Sequence, residues 1–229
     1  MKLIQYHFKN LGKDLQTQTE HLTGSQIAWS QREIHEEAAK KAAQELNAEG
    51  FRIYDLTHHK NIEEAKDFIK NDRTLKIIAH RPDKIAVNDT QGFEYEIKKK
   101  FDYYRGNQSF RTFIDLCTMN SCYGEFIVGA DIWFCWYNER LDLSWSEFEC
   151  VFDNVIDVNI PPRWDSDISH KNWYRSISEK LFPGKHIYSK KTNGSNDPCV
   201  GINTKNLKCI STIEMITTYQ RNNHESHLP

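Results

Sequence analysis

Hydrophobic positions change period along this chain, and the changes divide it into elements. Ile34, Ala38, Ala42 and Leu46 recur every four residues, the spacing of one face of an α-helix. Ser30 with Glu33 three residues later has the form of a capping box, and Gly50 supplies a stop. Phe51 to Leu56 alternates, as a half-buried strand does, and Asn61 to Lys70 has the composition of a short amphipathic helix. Leu75 to Ala79 and Asp83 to Val87 read as β. The turn-forming run Asn88-Asp89-Thr90-Gln91-Gly92 follows, and then a further strand, Phe93 to Lys99. Beyond it the pattern predicts a helix over Ser109 to Thr118, with Phe110, Phe113, Ile114 and Cys117 on one face. Ala130 to Tyr137 is apolar on both alternating faces, as a strand buried on both sides must be, and Phe148 to Ile160 predicts more β structure.

Leu3 to Phe8 offers a short strand ahead of a polar stretch through Ser30. Pro161-Pro162 marks a boundary between residues 1–160 and a C-terminal extension, 161–229. In that extension Trp173, Ile177 and Leu181 are spaced for burial in a helix over His170 to Leu181. Pro183 to Lys208 reads as loops around short strands, and Asn222 to Pro229 as a frayed end.

Composition narrows the class. With 38% hydrophobic and 27% charged residues and a mean hydropathy of −0.72, the chain reads as globular. Its longest apolar run, Phe126 to Tyr137, contains Asp131 and is far shorter than the roughly 20 residues of a bilayer span. The N-terminal residues lack the apolar stretch of a secretory signal, so a cytoplasmic location is expected. Six cysteines without a CxxC pair suit reduced core thiols better than disulfides or zinc. The net charge is −2, yet residues 161–229 carry ten basic and six acidic side chains. That imbalance is compatible with a polyanionic partner, but ordinary solvated surface explains it more simply. Walker-type, GxGxxG, GxSxG and HExxH patterns are absent, which removes support for nucleotide hydrolysis, dinucleotide chemistry and zinc proteolysis.

The chemistry concentrates in the hairpin. Alternation sends Phe93, Tyr95 and Ile97 to one face and Glu94, Glu96 and Lys98 to the other. A turn centred near Thr90 brings Asp83 beside Glu96 and Lys98. Two carboxylates that converge repel one another, and a hard divalent cation with oxygen ligands relieves the repulsion. Such an ion lowers the pKa of a bound water and offsets charge on a phosphoryl oxygen, and a neighbouring ammonium orients that water. A solvated strand face with weak cross-strand ion pairs is the competing explanation.

Pro82-Asp83, twelve intervening residues and then Glu96-Ile97-Lys98 resembles the motif of the PD-(D/E)XK nuclease superfamily, which includes restriction endonucleases and Holliday-junction resolvases. The resemblance covers roughly residues 30–137. It implies an α/β fold of the restriction-endonuclease-like type, a central mixed β-sheet flanked by helices. It also implies Asp83 and Glu96 as ligands of Mg²⁺, with Mn²⁺ able to replace it, and Lys98 as the water-orienting lysine. The activity implied is that of a metal-dependent endodeoxyribonuclease of restriction, phage or repair type, with DNA as partner and a two-fold homodimer as a common arrangement. Many members add an acidic residue from the first helix. Glu33, Glu36 and Glu37 are the candidates, with Glu37 preferred, although helical spacing puts His35 nearest the apolar face and makes it the substitute. A non-catalytic DNA- or protein-binding module on the same fold is the second reading.

Among the other candidates, Lys98, Lys99 and Lys100 with Arg105 and Arg111 read equally as a phosphate-contacting rim or as charged surface, and Tyr103-Tyr104 reads as a stacking pair or, more readily, as partly buried residues at a helix start. His58-His59, His80, His170 and His186 read as ordinary surface residues. Trp133, Trp136 and Tyr137 read as core.

Overall fold

The computed structural model describes residues 24–55, 82–89, 91–100, 111–162, 168–190 and 197–225. The side chains of 24–31, 168–170 and 222–225 stand outside that description. Helix α1 (Gly24–Ala48) leads into β1 (Arg52–Asp55), followed by the hairpin strands β2 (Lys84–Val87) and β3 (Gly92–Lys99). Next come β4 (Arg111–Asp115), α2 (Leu116–Ile127), β5 (Ile132–Tyr137), β6 (Leu143–Glu147), α3 (Phe148–Asp153) and β7 (Val155–Asn159). The chain continues through α4 (Ile168–Leu181), β8 (His186–Tyr188), β9 (Cys199–Asn203) and α5 (Thr212–Glu225).

The result is a mixed α/β fold. One sheet has the order β1-β2-β3-β5-β6 and the other β4-β9-β7-β8. In the first sheet β1, β2 and β3 are antiparallel neighbours, β5 lies parallel to β3, and β6 returns antiparallel to β5. A parallel neighbour cannot be reached by a tight turn, and the connection from β3 to β5 contains β4 and α2.

β5 explains why two cores form. All six of its residues are buried. Trp133, Cys135 and Tyr137 join Phe93, Tyr95 and Ile97 beneath α1 and α5, where Ala38, Ala42 and Leu46 form the buried stripe of α1. On the opposite face, Ile132, Phe134 and Trp136 pack with α2 and with Ile114, Val158, Val200 and Ile202 of the second sheet. The aromatic residues expected in the core are there. Buried Trp145 finds the partner its indole N–H needs, donating to Thr212 Oγ1 at 3.0 Å, and that hydroxyl donates in turn to Glu45.

Several expectations change. Ser109 to Thr118 is not one helix: Arg111–Asp115 is a strand and the helix begins at Leu116. Thr112 and Ile114 alternate inward, and the partner that makes this segment β is β9, almost ninety positions away. Phe148 to Asp153 is helical, and only Val155–Asn159 of the expected β segment is strand. Helix α1 begins ahead of Ser30, at Gly24. Helix α5 had not been expected, although Ser211 and Glu214 cap one another at its start, and Met215, Ile216 and Tyr219 bury its inner face. The chain after Pro161-Pro162 enters both cores, through α4, β9 and α5. The expected elements at Leu3 to Phe8, Asn61 to Lys70 and Leu75 to Ala79 lie outside the described residues. No described helix is long and apolar enough to cross a membrane.

One glycine has a packing reason. Arg111 reaches from β4 across β9 to pair with Asp157 on β7 and to donate to Tyr188 Oη on β8 at 3.0 Å. It passes over Gly201, where a Cβ would sit 2.6 Å from both the Arg111 Nε and the Asp157 Oδ1. Gly201→Ala is expected to cost about 1–3 kcal/mol, the usual range for overpacking, in urea unfolding. The cost should shrink in an Arg111→Ala background. An equal cost in both backgrounds would mean that the crowding lies elsewhere.

Candidate active site

The hairpin register pairs Lys84 with Tyr95 and Ile85 with Glu94, which carries Asp83 to the level of Glu96. The Asp83 backbone N–H donates to Glu96 Oε2 at 3.0 Å, and Lys98 Nζ lies 2.8 Å from Glu96 Oε1. Asp83, Glu96 and Lys98 therefore meet at one end of the first sheet, where β2 begins and β3 finishes. Glu96 is only 3% exposed while Lys98 keeps 23% exposure, so the cluster is deep at the carboxylate and open at the ammonium. Burial works against the Lys98 charge. The carboxylates of Glu96, Asp115 and Asp83 outweigh it and hold the ammonium above the ordinary lysine range.

The first helix contributes differently from the sequence expectation. Glu37 lies on the exposed flank of α1, where it pairs with Lys40 at 3.1 Å. Glu33 and Glu36 are exposed as well, Glu36 pairing with Arg32 at 3.0 Å. The reason is angular. With Ala38, Ala42 and Leu46 buried, a rotation of about 100° per residue keeps position 35 beside the stripe and turns position 37 away from it. His35 is half-buried, its ring edge-on to Tyr137 with centroids 5.8 Å apart. Burial lowers its pKa. The Asp83 carboxylate opposes that shift, and the Lys98 and Lys84 charges add to it.

Three neighbours were not read as site residues in the sequence. Asp115 acts on Lys98 from the start of α2, and reading 109–118 as a helix hid its place at the end of a strand. Cys122 of α2 is fully buried, and its thiol is pushed well up by burial and by the Glu96 charge. Tyr137 is pushed up to about 12 by burial, with Lys98 opposing. Two further contacts tie the end of β3 down. Thr112 Oγ1 donates to the Lys99 carbonyl at 2.8 Å, and the Lys100 N–H donates to the Tyr137 carbonyl at 2.8 Å.

No protein-family profile and no curated protein matches this sequence. Among solved structures, Hjc, a Holliday junction resolvase from the archaeal hyperthermophile Archaeoglobus fulgidus, aligns with a TM-score of 0.40 at 9% identity, over 79% of this chain and 93% of that one. A likeness that loose assigns nothing.

The donor set suits a hard cation. Asp83 and Glu96 together match the one or two carboxylates with which Mg²⁺ is commonly held. Among the described residues no group of three or more His, Cys, Asp or Glu is close enough to hold a metal, so an ion here would complete its shell with water or substrate oxygens.

Of the other candidates, Lys99 lies 3.9 Å from Glu139, and Lys100 Nζ lies 3.4 Å from Cys209 Sγ. His186 is exposed and stacks on Tyr188. His58-His59, His80, Tyr103-Tyr104 and Arg105 lie outside the described residues, as does the side chain of His170.

Removing Lys98 takes away the ammonium that lies 2.8 Å from the buried Glu96 carboxylate. Lys98→Met is expected to cost about 3 kcal/mol in metal-free urea unfolding, and the double variant Glu96→Gln/Lys98→Met to recover much of that loss. Additive losses in the double-mutant cycle would show that the pair is not coupled.

Proposed function

We propose that this protein is a metal-dependent nuclease that hydrolyses DNA phosphodiester bonds, with Asp83, Glu96 and Lys98 as its working residues. The observation that carries the reading is the Glu96 carboxylate, buried and held between the Asp83 N–H and the Lys98 ammonium. The setting is an endonuclease of the PD-(D/E)XK type, of restriction, phage or repair function. Support comes from the motif spacing together with the order of helix, antiparallel strands, crossover helix and parallel strand around it.

Asp83 and Glu96 would hold Mg²⁺ or Mn²⁺, and the bound ion would supply a water of lowered pKa and offset charge at the phosphoryl oxygens. Lys98 stands at the open side of the cluster. There it would orient or help deprotonate the attacking water and stabilise charge building on the phosphate. His35 flanks the same end of the sheet from α1 and takes the place expected of a helix acid. Attack of water at phosphorus breaks one P–O ester bond, leaving a phosphate on one fragment and a hydroxyl on the other. A two-fold homodimer, matching the two strands of a duplex, completes the proposal.

The test is cleavage of plasmid, linear, branched and single-stranded DNA with Mg²⁺ or Mn²⁺, comparing wild type with Asp83→Ala and Lys98→Ala. Metal-dependent cutting that falls by roughly 10³-fold in both variants is expected, within the range of a lost acid–base or charge-stabilising group. Cutting that survives both substitutions would overturn the assignment. Absence of cutting on every substrate would leave a binding module on this fold. A second comparison separates the helix candidates: His35→Ala should lower the rate, and Glu37→Ala should leave it within about two-fold, as surface substitutions commonly do.

A further inference from the structure

The first sheet has an open wing beside the candidate site. Tyr54 of β1 pairs with Ile85 of β2, which pairs with Glu94 of β3, and Arg52 pairs likewise with Val87 and through it with Gly92. Directly paired residues share a face of a sheet. Ile53 packs with Ala86 and Phe93 in the core beneath α1, so Arg52 and Tyr54 stand on the opposite face, the face of Glu94, Glu96 and Lys98. Over β5 that face is covered by the second core. At β1, the edge strand among the described residues, Tyr54 is 53% exposed.

An aromatic ring half in water needs no ligand by itself, but here its surroundings are specific. Two strands at about 4.8 Å spacing put β1 roughly 10 Å from the strand that carries Glu96 and Lys98. Arg52 lies two residues from Tyr54 on the same face, about 7 Å along the strand. Its contact with Asp89, at 3.4 Å, joins two well-exposed side chains, a kind of pair that holds a guanidinium only weakly. Ring and guanidinium thus alternate along an edge strand that runs beside the phosphate-cleaving cluster. A nucleic-acid strand alternates base and phosphate in the same way, and an exposed ring stacks on any base whose face is open.

We propose that Arg52 and Tyr54 form the strand-binding wing of this site, taking a single-stranded stretch of DNA next to the scissile phosphate, Tyr54 by stacking on an unpaired base and Arg52 by contact with a phosphate. The wing rests on the nuclease reading for its substrate, and its test does not depend on cleavage. Binding of a fluorescein-labelled single-stranded oligonucleotide is followed by anisotropy without divalent metal, for wild type, Tyr54→Ala, Tyr54→Phe and Arg52→Ala. Unchanged thermal melts by circular dichroism establish that each variant is folded.

Tyr54→Ala is expected to weaken binding by roughly ten-fold or more, with Tyr54→Phe within about two-fold because the stacking face is retained. Arg52→Ala should weaken binding and reduce the salt slope by about 1. Wild-type affinity in both alanine variants, or no binding by the wild type, would overturn the wing. If those variants bind normally while Asp83→Ala abolishes cutting, the wing fails and the nuclease stands. If they lose binding while cutting is absent or survives Asp83→Ala, Arg52 and Tyr54 hold the strand but the nuclease assignment fails, and with it the place of the wing beside a scissile phosphate.

Discussion

A carboxylate can be taken out of water only if donors replace the water it loses, and Glu96 meets that condition in one arrangement of the hairpin. One oxygen accepts from the backbone of Asp83 and the other faces Lys98, so the register of β2 against β3 and the position of the lysine are set together. A slip of one residue would send Glu96 and Lys98 into the apolar core beneath α1 and bring Tyr95 and Ile97 out in their place. The candidate site and the fold therefore share a constraint: the contacts that make the carboxylate tolerable also bring Asp83 beside it.

The rest of the molecule holds that hairpin end rigid. β5 lies parallel to β3 and divides its own side chains between two cores, so the strand bearing the site has a neighbour packed on both faces. The end of β3 is then tied to its surroundings through the Lys99 carbonyl and the Lys100 N–H. Rigid support of this kind suits a site whose work is positioning, because small displacements of reacting groups are costly. Among the described residues β1 is the edge strand on the other side, and its Tyr54 is 53% exposed.

Helix α1 shows how burial selects among neighbouring residues of similar promise. Three glutamates and a histidine lie within five positions, and the stripe of alanines that packs on the sheet decides which of them looks inward. The glutamates go to the surface, where two of them form ion pairs with helix neighbours, and the imidazole is left under the influence of Asp83 and Lys98.

Much of the first sheet was legible in the sequence because its signals are local. The four-residue repeat marks α1, a turn-forming run marks the hairpin, and an unbroken apolar stretch marks β5. The alternation of Glu94, Glu96 and Lys98 against Phe93, Tyr95 and Ile97 was enough to bring the three candidate residues to one place, since a hairpin closes over few residues and its register follows from the turn. The capping pair Ser211 and Glu214 is an equally local signal, although α5 was not among the expected elements. What the sequence did not decide were the pairings made at long range. Arg111–Asp115 became a strand because β9 lies alongside it, and Arg111 crosses to β7 and β8 over a glycine that no local pattern marks. Periodicity shows which faces of an element are apolar, and in α1 it already set His35 rather than Glu37 beside the stripe; which distant segment covers each face is settled only when the whole chain packs, and that choice brought Asp115 to Lys98 and left Tyr54 exposed.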